Sequence, residues 1–189
     1  MIGLKRHTVQ LVEHDPGWAS LFETEAYAIW HGGGSLILDV QHVGSTAVSG
    51  LPAKPVLDIA VAVRTSGDIP QLAKRLTAIG YIDRGDGGRD GGYLLVRDSE
   101  PEVRTVHLHI VEQTDSQWRH YVAFRDILRR DPGIREKYGE IKKQLAAMYP
   151  NDRQQYTGSK NEFIQRVLRE SPEAQQTAGA DGENAAAPP

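Results

Sequence analysis

The sequence predicts an α+β fold, a lobe of strands and helices followed by a C-terminal helical lobe. Three observations point there. Between residues 36 and 112, runs with β-type alternation are interrupted by a single helical stripe. From residue 114 onward every apolar stripe recurs at helical spacing. Charge divides at the same place: residues 1–118 hold 10 Lys+Arg against 15 Asp+Glu, and residues 119–169 hold 12 against 6. The expected division is an α+β lobe over about 1–113 and a helical lobe over about 114–170.

Taken in order, Asp15-Pro16 reads as an N-cap with proline in the first turn. Trp18, Leu21, Phe22, Ile29 and Trp30 then keep helical spacing as far as Gly32-Gly33-Gly34. Leu36–Val43 is strand-like. In Val56–Val63, Leu57, Ile59, Val61 and Val63 lie on one face, and Val56, Asp58, Ala60 and Ala62 on the other. Asp68 can cap a helix bearing Ile69, Leu72, Leu76 and Ile79, ended by Gly80. Tyr81–Asp83, Tyr93–Arg97 and Arg104–Glu112 read as strands, the last two joined as a hairpin or meander through Asp98–Pro101. The glycine-rich Gly85–Gly92 lacks the Gly-Lys-Ser/Thr ending of a phosphate-binding loop and reads as a hairpin or lid. Thr114 with Gln117 predicts a capping box for a helix to about Arg130, and Asp131-Pro132 starts another through Met148. Ser159 with Glu162 predicts a further box ahead of Phe163, Ile164, Val167 and Leu168.

Composition narrows the function classes. The 189 residues include no cysteine, which removes disulfides, thiolate metal sites and a cysteine nucleophile and fits a cytoplasmic protein. No run approaches the roughly 18 apolar residues of a membrane span. Residues 171–189 carry no large apolar side chain and read as a disordered tail. The basic stretch lacks a reading motif or an aromatic platform for nucleic acid.

The segment that carries chemistry is His42-Val43-Gly44-Ser45-Thr46-Ala47-Val48-Ser49-Gly50-Leu51-Pro52-Ala53-Lys54-Pro55-Val56-Leu57-Asp58-Ile59. A strand ends in Gly44-Ser45, where backbone N–H groups and small hydroxyls, Thr46 included, can approach phosphate oxygens. The next strand presents one carboxylate, Asp58, a hard oxygen ligand suited to Mg²⁺. Lys54 stands at the entrance to that strand, and His42 is placed to order the turn. His107 and His109 are two apart, so in a strand both imidazoles share a face and can join Asp58 around one ion, or orient it by hydrogen bonds.

This string resembles the signature of the GrpB family, small proteins of the nucleotidyltransferase superfamily also found fused to dephospho-CoA kinase. It departs at Ser49, where proline is usual. Further matches are Val106-His107-Leu108-His109-Ile110, Phe124-Arg125-Asp126-Ile127-Leu128, Tyr138 with Lys142, and Tyr156 with Lys160-Asn161-Glu162-Phe163-Ile164. The resemblance implies a nucleotidyltransferase-like mixed sheet packed with helices, followed by helices that cover the cleft. It also implies that Gly44 and Ser45 meet nucleotide phosphates, while Asp58 is a strand carboxylate binding a divalent metal, Mg or Mn. The second carboxylate of that pattern is missing, because the next same-face position is Ala60.

The expected function is metal-dependent nucleotidyl transfer, with a nucleotide or other phosphorylated small molecule held between the lobes. Asp58, His107 and His109 are the catalytic candidates, with Asp58 and His109 on the metal. Gly44, Ser45, Thr46, Lys54, Arg125, Lys142 and Lys160 are the phosphate-binding candidates, because guanidinium forks and mobile ammonium groups suit phosphate. Two alternatives stand beside it. One is a non-catalytic nucleotide- or partner-binding module, favoured by Ala60. The other is a single-metal phosphoester hydrolase using Asp58, His107 and His109.

Overall fold

The computed structural model describes residues 2–86 and 92–171. Of the expected tail only Ser171 is described, and it is buried, with its N–H bonded to the Leu168 carbonyl; the rest of the tail and most of the Gly85–Gly92 loop lie outside the described residues. The strands are β1 (Leu4–Lys5), β2 (Ile37–Val43), β3 (Leu57–Val63), β4 (Ile82–Asp86), β5 (Tyr93–Glu100) and β6 (Val103–Glu112). They form one sheet in the order β2-β3-β6-β5-β4, with β1 paired to the start of β6. The β3–β6 pair is parallel and the other pairs are antiparallel, so the sheet is mixed as expected.

Strand alternation divides the molecule into two packed layers. Leu57, Ile59, Val61 and Val63 of β3, with Val106, Leu108 and Ile110 of β6, face α1 (Gly17–Gly33) and α2 (Ile69–Thr77). Trp18 and Ile29 of α1 and Leu72 and Leu76 of α2 complete that core, all fully buried. Gly33 lets α1 approach: a Cβ there would lie 2.3 Å from Ile37 Cδ1 and 2.7 Å from Leu72 Cδ1. The opposite sheet face carries Asp58, Ala60, Ala62, His107 and His109. It is covered by α3 (Ser116–Arg130), α4 (Pro132–Met148), α5 (Arg153–Ser159) and α6 (Asn161–Glu170). Those helices have a core of their own, in which Ile127, Leu128, Tyr138, Phe163 and Val167 pack on Val48 and Leu51.

Three helix starts differ from expectation. Asp115, not Thr114, caps α3: its carboxylate accepts from the Gln117 N–H at 2.8 Å, while the Thr114 hydroxyl donates to Glu112. The Asp68 carboxylate closes a capping box with Thr65 on the turn Ser66–Asp68 that precedes α2, and makes no side-chain cap bond to α2. The Ser159–Glu162 box does not form. Ser159 ends α5, and Lys160, which precedes α6, keeps helical dihedrals, so no extended N-cap residue separates the two helices. The strand Leu4–Lys5 and the helix α5 carry no expectation from the sequence pattern. Asp131 caps α4 as expected, accepting from the Ile134 N–H at 2.9 Å.

Candidate functional site

The site forms where β2 ends, β3 begins and the second helical layer closes over them. Val43 and Asp58 are cross-strand partners, so the turn after β2 lies directly beside the Asp58 carboxylate. Gly44 adopts φ +67°, and a Cβ there would stand 2.5 Å from Asp58 Oδ2. Only glycine fits this position, for backbone and for space. The following turn, Ser45–Ala47, is anchored from both sides. His42 Nε2 lies 2.9 Å from Thr46 Oγ1, with the His42 ring stacked on Phe22. Burial lowers the pKa of His42 to about 4, so it is neutral at pH 7. The Lys142 ammonium donates to Ser45 Oγ at 3.0 Å and to the Pro52 carbonyl. Ser45 Oγ thus accepts from Lys142 and also hydrogen-bonds the Tyr138 side chain.

Parallel pairing sets Asp58 opposite His107 and Ala60 opposite His109. His107 Nδ1 is 3.0 Å from Asp58 Oδ1, and its Nε2 is 2.8 Å from the Arg153 guanidinium. A guanidinium can only donate, so Nε2 accepts and Nδ1–H donates to Asp58. This is a neutral imidazole of fixed tautomer, in keeping with burial that lowers its pKa to about 4. For Asp58, burial pushes the pKa up. The hydrogen bond from His107 and the charge of Lys54 outweigh that and hold it well below the usual carboxylate range. About a third of the Asp58 side chain remains exposed toward the cleft.

Cations gather around this one carboxylate. Ser45, Asp58, Lys54, Lys142, Arg153 and Lys160 line a cavity of about 200 Å³. The Lys54 and Lys160 ammonium groups lie 5.3 and 4.5 Å from the centroid of the Tyr156 ring. Burial lowers the pKa of Lys160 to about 7 and that of Lys54 to about 8. Lys160 is pushed further by Lys54, and Lys54 by Arg153. Lys142 is held well below the usual lysine value by burial and by Lys160.

Most of the residues singled out from the sequence therefore converge. Gly44, Ser45, Thr46, Lys54, Asp58, His107, His109, Lys142 and Lys160 lie at one cleft. Thr46 is almost wholly buried and serves the turn. Arg125 is not brought to the cleft. Its guanidinium holds Asp126 through two hydrogen bonds and donates to Gln41 Oε1 and the His42 carbonyl, tying α3 to β2. Arg129, one turn further along α3, donates to the Ala47 carbonyl at 3.0 Å. Arg153 was missed from the sequence. The available signal is its spacing: Arg153, Tyr156 and Lys160 stand at i, i+3 and i+7, one helical face.

The donors do not fit a two-ion centre. Both ring nitrogens of His107 are occupied, and the second carboxylate position is Ala60, fully buried beside Trp118 and Val111. Among the described residues, no three His, Asp or Glu side chains converge on a position that could hold a metal ion.

Fold and site together define a class: a mixed-sheet α+β protein whose helices close a cleft lined by basic side chains over a single carboxylate. The chain belongs to the GrpB family, whose family model, described as GrpB protein, matches residues 8–170. It is 35% identical over 173 residues to the glutamate-rich protein GrpB of Alkalihalophilus pseudofirmus, covering 90% of this chain and 99% of that one. A crystal structure of the conserved protein GrpB from Enterococcus faecalis superposes with a TM-score of 0.75 at 32% identity, covering 92% of this chain and all of that one. A dephospho-CoA kinase of Mycobacterium bovis is 30% identical over 164 residues, which cover 74% of this chain and 40% of the kinase. No helix among the described residues is long and apolar enough to cross a membrane.

Proposed function

We propose that the protein binds a phosphorylated small molecule, a nucleotide or a related compound, with its phosphate seated among Lys54, Lys142, Arg153 and Lys160. The observation that carries this reading is the charge imbalance of the cavity. Four basic side chains surround one carboxylate, and all four have pKa values lowered by burial. Crowded, desolvated ammonium groups oppose folding, and an entering anion relieves the repulsion while accepting their hydrogen bonds. Ser45 lines the same cavity and offers a further polar contact. The match to part of a dephospho-CoA kinase is in keeping with a binding module that accompanies a phosphotransfer domain.

The second reading is nucleotidyl transfer with Mg²⁺ or Mn²⁺ on Asp58 and His109. It is favoured by one observation: Asp58 is held ionised on the same cleft as Ser45. Its weakness is Ala60, which leaves one carboxylate where two would share the metals.

Titration calorimetry with pyrophosphate and nucleoside triphosphates, in EDTA and in Mg²⁺ or Mn²⁺, separates the two. Binding that persists in EDTA and falls about tenfold or more in Lys160→Met, the scale of a lost charged hydrogen bond, supports the ligand-binding reading. Binding that needs the metal and vanishes in Asp58→Asn supports transfer. No binding under either condition overturns both.

A further inference from the structure

Two of the four basic groups in the cationic chamber are already committed. Lys142 donates to Ser45 and Pro52, and Arg153 donates to His107. Lys54 and Lys160 are not. Among the described residues no oxygen accepts a hydrogen bond from either ammonium, and both stand over the Tyr156 ring. A ring face attracts a cation but offers no acceptor, and here a second amine crowds the same ring. Asp58, the carboxylate of the chamber, is bonded by His107 instead. Desolvation and a neighbouring cation are the two conditions that make a lysine nucleophilic, because both favour the neutral amine with its free lone pair. In keeping with this, burial and Lys54 bring Lys160 to about 7, so a large share of it is neutral at neutral pH.

Position separates the two lysines. A second chamber of about 360 Å³ lies between α3 and α6, and of the four basic groups Lys160 alone lines both chambers. Tyr121, Phe124 and Ile164 give the second chamber an apolar wall that suits carbon better than phosphate. A ligand whose phosphate sits with Lys54 and Arg153 therefore carries its carbon skeleton past the Lys160 amine.

We propose that Lys160 is a nucleophile that captures a phosphorylated aldehyde or ketone as an imine, with the phosphate held by Lys54 and Arg153 and the carbon skeleton in the second chamber. The neutral amine adds to the carbonyl carbon, and the carbonyl oxygen takes a proton. The resulting hydroxyl leaves as water when the carbon–nitrogen double bond forms. Counted from the ammonium, the nitrogen gives up two protons and both depart in the water. The protonated imine keeps one positive charge beside the phosphate, and no oxidant or reductant enters. This rests on the phosphate-binding reading and adds a covalent step at one residue.

The probe is pyridoxal phosphate, a phosphorylated aldehyde, and its unreactive control is pyridoxine phosphate, in which an alcohol replaces the aldehyde. The full chain is treated with the probe, reduced with borohydride and mapped by peptide mass spectrometry. The expected result is one modified lysine, Lys160, protected by excess pyrophosphate. Pyridoxal, which lacks the phosphate, should label it about tenfold less, the scale of a lost charged hydrogen bond. Lys160→Arg keeps a cation for the phosphate, but its guanidinium stays protonated. This variant should lose the label and still bind pyridoxine phosphate by calorimetry. The mapped site in the wild type decides the matter even if the variant folds poorly. If pyridoxine phosphate binds and Lys160 carries no label, or Lys54 carries it instead, the inference falls and phosphate binding stands. Labelling that pyrophosphate does not reduce, at Lys160 or spread over exposed lysines such as Lys137 and Lys143, overturns it too. Failure of pyrophosphate and both phosphorylated compounds to bind removes the underlying phosphate reading as well.

Discussion

Lys54 and Lys160 meet at the Tyr156 ring, with Asp58 as the carboxylate facing them, and burial has brought both amines into the range where they titrate near neutrality. The consequence has a definite sign. The ordinary lysine value is 10.5, and the folded values are about 8 and about 7. Between pH 7 and 10 the unfolded chain therefore holds more protons than the folded one at these positions. Their contribution makes the ligand-free protein more stable as pH rises through that window. A bound anion restores the charged form, so binding at pH 8 takes up protons and weakens as pH rises further. Calorimetry in buffers of different ionisation enthalpy, corrected for the ligand's own protonation, should read net uptake that shrinks in Lys160→Met. Zero uptake at pH 8 would show that the two lysines do not respond to the ligand.

At the scale of elements, the seven-residue α5 carries Arg153 and Tyr156 and delivers the chain to Lys160. So short a helix depends on its cap, and Asp152 supplies it by accepting from the Gln155 N–H at 3.0 Å. Asp152→Ala should cost about 1 kcal/mol by chemical denaturation and lower pyrophosphate affinity by loosening Arg153. Ser159→Ala should be nearly neutral, because no capping box forms there. Equal losses from both would contradict this assignment. The same segment marks how far the sequence could be read. The strands were legible because β3 and β6 bury one face against α1 and α2, leaving a clean period of two that put Asp58, His107 and His109 on predictable faces. The parallel pairing that sets His107 beside Asp58 was not legible, since it joins residues 49 apart and no local pattern encodes it. Ser159 and Glu162 have the right spacing for a box, yet the chain between α5 and α6 never leaves helical dihedrals. Local spacing cannot report that.

For the whole molecule, the sequence's charge division takes on a structural meaning. Beside the apolar packing between the layers, basic side chains of the helical layer donate to oxygens of neutral groups on the sheet side. Lys142 donates to Ser45 and Pro52, Arg129 to Ala47, and Arg125 to Gln41 and His42. Arg125 and Arg129 also share Asp126, whereas Lys54, Arg153 and Lys160 leave the cleft between the layers rich in basic groups. Two basic residues with similar sequence credentials thereby acquire different roles, Lys160 at the cavity and Arg125 in the strut. The variant Arg125→Gln separates them. Losing the guanidinium bonds to Asp126 and the His42 carbonyl should lower stability by about 2 kcal/mol, the scale of hydrogen bonds to a charged group. Because Arg125 lines neither chamber, the folded variant should bind pyrophosphate with wild-type affinity under native conditions. Urea denaturation reads the first effect and calorimetry the second. A variant of unchanged stability that no longer binds would place Arg125 on the ligand and reverse the assignment.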